Sequence, residues 1–141
     1  MPDRPSVPPG HPPLETYLEW LWATHGNEVD SIVLFGSRAR GDALDVSDYD
    51  LLVALRDEDG LRFTDRIGIY QDTLTGKVDV FPYCPSDLAR MQEDRNGFLL
   101  EALADGKAIY DRGTWARIRE RFASDLAAGC VKRVPGGWEI R

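Results

Sequence analysis

Gly36-Ser37-Arg38-Ala39-Arg40-Gly41, a further five residues, and then Ser47-Asp48-Tyr49-Asp50 form the stretch on which the reading of this chain turns. Tyr49 to Leu55 is nearly unbroken apolar sequence after Asp50, which predicts a strand buried on both faces and central in its sheet. Asp48 and Asp50 stand two apart at the mouth of that extended segment, so strand periodicity puts both carboxylates on one face. Two such anions repel unless a cation sits between them, and a hard, oxygen-seeking Mg²⁺ is the ordinary solution. Upstream, Val29 to Phe35 is β-branched and apolar and stops at Gly36, which reads as a strand feeding a turn and a short helix. Gly36 has no Cβ and lets the backbone approach a ligand, while Ser37 offers a hydroxyl and an amide where the helix starts. That is a cradle for phosphate oxygens. A chain that returns between Gly41 and Ser47 lets cradle and carboxylates face one cleft, bridged by a Mg²⁺-bound triphosphate.

Moving outward, residues 1–13 hold six of the nine prolines and read as an extended or disordered tail. Leu14, Tyr17, Leu18 and Leu21 recur at helical spacing and predict a first helix running to about Thr24, ended by Gly26, with Trp20 off the apolar stripe and exposed. Phe63, Ile67, Tyr70 and Leu74 mark one face of a second helix closed by Thr75-Gly76. Val78 to Phe81 is a third strand, followed by a short helix capped at Ser86. Phe98 to Ala104 reads as helix and Ala108 to Tyr110 as a short strand. Trp115, Ile118, Phe122 and Leu126 define a last amphipathic helix. The Val134-Pro135-Gly136-Gly137 segment reads as irregular. The expected organisation is a tail over 1–13, one domain over 14–129 and an irregular segment over 130–141. Alternating strands and helices at this length make it an α/β (α+β) arrangement, a sheet with helices on at least one face.

Within that frame Asp79 interrupts the apolar Val78, Val80 and Phe81 of a neighbouring strand and completes a three-carboxylate set. It is placed to help hold a second Mg²⁺ and lower the pKa of an acceptor hydroxyl, or to act directly as its base. Arg40 either holds a phosphate or ties the turn to Asp42 or Asp45. Ser47 either orients the loop by a local hydrogen bond or touches nucleotide. His11 lies in the tail and His25 near a helix end, and neither is assigned a catalytic role.

The composition narrows the partners. Of 141 residues, 17 are basic and 24 acidic, a net charge of −7 that suits no sequence-independent grip on a phosphate backbone, so nucleic acid is a poor first substrate. Lys132 and Arg133, with Arg117, Arg119 and Arg121, read as a solvated face. The longest aliphatic run, Leu51 to Leu55, is far below the ~20 residues of a spanning helix, and no apolar leader follows Met1, so no membrane is expected and the cytoplasm is the expected compartment. Cys84 and Cys130, with no paired spacing, suggest neither a zinc site nor a disulfide framework.

Gly36-Ser37, Ala39-Arg40-Gly41 and Ser47-Asp48-x-Asp50 resemble the signature of the polymerase-β-like nucleotidyltransferase superfamily, and within it the chain is most similar to the minimal nucleotidyltransferases. The resemblance covers roughly residues 14 to 112, with Asp79 falling where the family carries its third carboxylate. It implies a mixed sheet flanked by helices, Mg²⁺ dependence and an NTP, expected to be ATP, as donor. It also implies an antitoxin encoded beside a helical HEPN toxin that it binds and, in some family members, adenylylates. The expected acceptor is a side-chain hydroxyl, a tyrosine, on that partner. Two alternatives stand beside it: a non-catalytic antitoxin that masks its toxin, and an aminoglycoside-type small-molecule nucleotidyltransferase.

Overall fold

The structure, a computed structural model, describes residues 10–41, 48–72 and 75–141. Four strands form the main sheet: β1 (Val29–Phe35), β2 (Tyr49–Leu55), β3 (Val78–Tyr83) and β4 (Lys107–Asp111). Their order is β3-β2-β1-β4, with β2 and β3 parallel and β1 antiparallel to both β2 and β4. The two most apolar strands therefore occupy the middle, as their sequences demand, because both of their faces are covered. β3 lies at the edge, where Pro82 costs no ladder hydrogen bond on the open side.

Strict alternation splits the core into two layers. On one face Ile32, Leu34, Leu51 and Val53 meet Leu14, Tyr17, Leu18 and Leu21 of helix α1 (Pro12–His25). On the other, Val33, Leu52 and Ala54 meet Leu88 of α4 (Pro85–Glu93), Leu99 and Leu103 of α5 (Gly97–Asp105), and Trp115 and Ile118 of α6 (Thr114–Ala127). Two short helices complete the set, α2 (Ser37–Arg40) and α3 (Phe63–Tyr70). The sheet is thus mixed and covered on both faces. Among the described residues no helix is long and apolar enough to cross a membrane.

Several local expectations need correction. Helix α1 already begins at Pro12, inside the stretch read as tail, because prolines are tolerated in a first turn where amides lack partners. Trp20 is half-buried, set against the rings of Tyr17 and His25. Helix α3 stops at Tyr70, well before Thr75-Gly76, because Gln71 turns extended and spends its side chain on the Val78 carbonyl (2.5 Å) and the Val80 amide (3.2 Å). Leu74 lies outside the described residues. Helix α4 is capped by Cys84, whose amide is bound by Asp87 Oδ2 at 2.9 Å, and Ser86 sits inside the helix.

The C-terminal segment read as irregular is a hairpin, β5 (Val131–Val134) and β6 (Gly137–Ile140). Pro135 supplies the fixed φ of the first turn position and Gly136, at φ +84°, the left-handed second one. Val131 is fully buried among the residues of α5 and α6. Arg133 clasps Glu101 and Asp105, each at 2.7 Å, and Trp138 Nε1 donates to Glu101 at 3.0 Å.

Candidate active site

The site lies where β1 ends and β2 and β3 begin. Gly36 leaves β1 with φ +75° and ψ −158°, a conformation that L side chains rarely adopt, and α2 follows as a single turn. The amides of Ala39 and Arg40 both reach the Gly36 carbonyl at 3.1 Å, and the Gly41 amide closes the turn on the Ser37 carbonyl at 3.0 Å. Gly41, at φ +80°, is the left-handed cap. The expected strand, turn and short helix are all present.

Across this turn, Phe35 is paired with Asp50 in the antiparallel β1–β2 ladder, and Asp50 is paired with Asp79 in the parallel β2–β3 ladder. Asp50 and Asp79 therefore share a face of the sheet, the one that carries Leu52 and Phe81. Their environment shows the cost of that arrangement. Burial raises the Asp50 carboxyl above the ordinary 3.8, the negative charges of Asp79 and Asp48 raise it further, and Arg40 partly offsets them. The Asp79 carboxyl is raised too, by burial, then by the charge of Asp48 and a hydrogen bond with it. The three aspartates thus sense one another electrostatically. The floor beneath them is aromatic: Phe35, Phe81 and Phe98 meet with ring centroids 5.0 to 5.5 Å apart.

Gly36 has a role the sequence reading did not assign. A Cβ built on it would stand 2.5 Å from Asp50 Oδ2, so the missing side chain makes room for a carboxylate. Arg40 is exposed, and its positive charge lowers the carboxyls of Asp50 and of Asp105 in α5. Ser47, Asp42 and Asp45 lie outside the described residues. His11, set aside as tail, places Nδ1 2.9 Å from the Tyr49 hydroxyl. Alternation held the signal for Tyr49, since a residue between two aspartates on one face must enter the opposite layer.

The donor set suits a hard divalent cation. Three carboxylates, two on neighbouring strands with raised pKa values and one just ahead of β2, gain most from a positive charge placed among them. Among the described residues, however, no three His, Cys, Asp or Glu side chains already converge on one ion position.

Known proteins resemble this chain in sequence and fold. A family model described as polymerase beta, nucleotidyltransferase matches residues 22–114. A Methanocaldococcus jannaschii protein named "Putative protein adenylyltransferase" is 32% identical over 117 residues, covering 77% of this chain and 78% of its own. Among solved structures, a "putative nucleotidyltransferase" from Sulfolobus solfataricus superposes with a TM-score of 0.50 at 23% identity, over 72% of this chain and 79% of its own. A chain from a toxin–antitoxin crystallised with AMP-PNP gives 0.52 at 18% identity, over 81% and 87%. A chain from a toxin–antitoxin called MntA-HpeT gives 0.51 at 17% identity over the same shares. At these identities the solved structures speak for the fold.

Proposed function

Because this chain belongs to the polymerase beta nucleotidyltransferase family and is a nucleotidyltransferase, we propose that it moves AMP from ATP onto a side-chain hydroxyl of a partner protein, and so acts as the antitoxin of a helical, HEPN-type toxin. The observation that carries this reading is the grouping of Asp50 and Asp79 on one sheet face, electrostatically coupled to Asp48, beside the Gly36-Ser37 turn. A protein acceptor is supported by the name of the 32% identical relative. The antitoxin role draws support from fold likeness to toxin–antitoxin chains. A net charge of −7 disfavours a polyanionic acceptor.

In this reading the backbone and hydroxyl at Gly36 and Ser37 hold the β and γ phosphates, and Arg40 adds a positive charge beside them. Asp48 and Asp50 are the ligands of Mg²⁺, with Asp79 contributing on the acceptor side. Mg²⁺, when bound, neutralises the triphosphate and the charge that develops on the leaving group. Asp79, on the edge strand, takes the acceptor proton. The hydroxyl oxygen, from a tyrosine, forms a bond to the α phosphorus, the bond from that phosphorus to the β-bridging oxygen breaks, and pyrophosphate leaves. The catalytic domain runs from α1, at Pro12, through α6, with the hairpin packed on it, and the protein works in the cytoplasm.

Coexpression with the genomic neighbour and measurement of that neighbour's intact mass test the reading. AMP on a tyrosine, absent with Asp48→Asn, is the expected result. An unmodified neighbour that is still neutralised would make the chain a masking antitoxin, and rapid labelling of an aminoglycoside or of an RNA end would replace the protein acceptor.

A further inference from the structure

Tyr49 separates the two aspartates in sequence and takes the other side of the sheet in space. It is buried, 3% exposed, in the layer under α1, and its amide donates to the Lys77 carbonyl at 2.8 Å, which fixes its backbone to the segment entering β3. Three parts of the chain meet on its side chain. His11, just before α1, sits 2.9 Å from the hydroxyl through Nδ1 and presents its imidazole nearly perpendicular to the ring, at 82° and 5.6 Å. Arg38, from α2, holds its guanidinium carbon 4.4 Å from the ring centroid. The third part is β2 itself.

A helix of one turn has no stability of its own, because nucleation fixes several residues for very few hydrogen bonds. Helix α2 is four residues long, so its position has to come from what it touches. Ala39 is buried beneath it, and Arg38 lies on Tyr49. The ring that carries this contact is covalently flanked by Asp48 and Asp50. A cation–π contact of this kind at a desolvated ring is strong enough to hold a single turn in place.

We infer that Tyr49 is a positioning residue: held by His11 through its hydroxyl and engaged by Arg38 through its face, it sets the α2 turn at a fixed distance from Asp48 and Asp50. The consequence is that the segment before α1 influences the site without reaching it. The effect on nucleotide rests on the donor reading given above. The effect on α2 does not.

The test uses the full chain and two readouts. Amide hydrogen exchange without nucleotide follows Ala39, Arg40 and Gly41, whose amides close the α2 turn. Affinity for AMP-PNP with Mg²⁺ is measured by calorimetry. Tyr49→Leu, which removes both contacts, should speed exchange at these three amides by about tenfold beyond any change in the β1 strand, and should weaken Mg·AMP-PNP by a similar factor. Tyr49→Phe keeps the ring but releases it from His11, and should speed α2 exchange and weaken the nucleotide by about threefold each. His11→Ala should match it, and the double variant should be no worse than either single one, since both remove the same bond. If Tyr49→Leu folds poorly, the two mild variants still decide. Exchange that rises uniformly with no excess at α2, or additive losses in the double variant, would overturn the inference. If the wild type itself fails to bind Mg·AMP-PNP, the donor reading falls and the exchange pattern alone judges the role of Tyr49.

Discussion

Gly36 and Asp50 face each other so closely that any side chain at position 36 would overlap the carboxylate, a Cβ falling 2.5 Å from Asp50 Oδ2. Gly41, five residues on, has a similar positive φ of +80° but no described residue beyond its chain neighbours within 4 Å of its would-be Cβ. The pair offers an internal control. Gly41→Ala should cost only the left-handed strain, about 1 kcal/mol, and leave nucleotide affinity intact. Gly36→Ala should cost more stability and displace Asp50, so Mg·AMP-PNP affinity should fall at least about tenfold. Thermal unfolding and calorimetry on the two variants check this, and equal behaviour would count against the role of Gly36.

The raised carboxyls of Asp50 and Asp79 set a direction for pH dependence. Between the ordinary 3.8 and the higher folded value, the native state keeps a proton that the unfolded state has released, so stability without metal falls as pH rises through that window. Asp50→Asn removes the Asp50 share of this slope and should make the metal-free protein more stable near neutral pH. Added Mg²⁺ should raise the melting temperature of the wild type and leave that of Asp50→Asn nearly unchanged. Melting curves from acid to neutral pH, with and without Mg²⁺, give the answer.

Asp79 should divide binding from transfer. It lies on the edge strand and is exposed, whereas Asp50 is wedged against Gly36. Asp79→Asn should bind Mg·AMP-PNP within about threefold of wild type yet lose nucleotidyl transfer. A loss of binding as complete as that of Asp48→Asn would make all three carboxylates one functional unit.

Arg66 of α3 is a buried cation, its side chain 4% exposed, with Asp59 and Asp87 at 2.8 and 2.9 Å and the carbonyls of Leu61 and Pro82 also accepting from it. Hydrogen bonding from Arg66 holds the Asp59 carboxyl well below the ordinary range. That contribution is present above 3.8 and lost as pH falls, the opposite window from that of Asp50. Arg66→Met should destabilise by about 3 kcal/mol, since it leaves two carboxylates facing a cation that is gone. A shift in the urea midpoint at unchanged slope is the expected signature.

How much of this was legible beforehand differs from element to element. The limits of β1 and β2 follow from runs of apolar residues that only a doubly covered strand explains, and Asp79 stood out because a charge broke such a run. Arg66 was invisible: helical periodicity favours Phe63 and Ile67 as the inward face, and nothing local says that carboxylates from two other segments will draw an arginine inward. The hairpin was missed because Pro135-Gly136 is as common in loops as in turns, and what makes it a turn is the clasp of Arg133 on α5, a contact from far along the chain. His11 was missed for the same reason. Its partner lies 38 residues away.

Cys84 caps α4 from inside the core, 1% exposed, and burial pushes its thiol up to about 11. A thiol so placed is shielded from electrophiles at neutral pH, whereas Cys130, half-buried just ahead of β5, is open to them. The chain therefore carries a built-in address for a single fluorophore or spin label, with no need to remove the other cysteine. A maleimide should modify Cys130 once per molecule and reach Cys84 only on unfolding, which turns the capping thiol into a reporter of opening around α4.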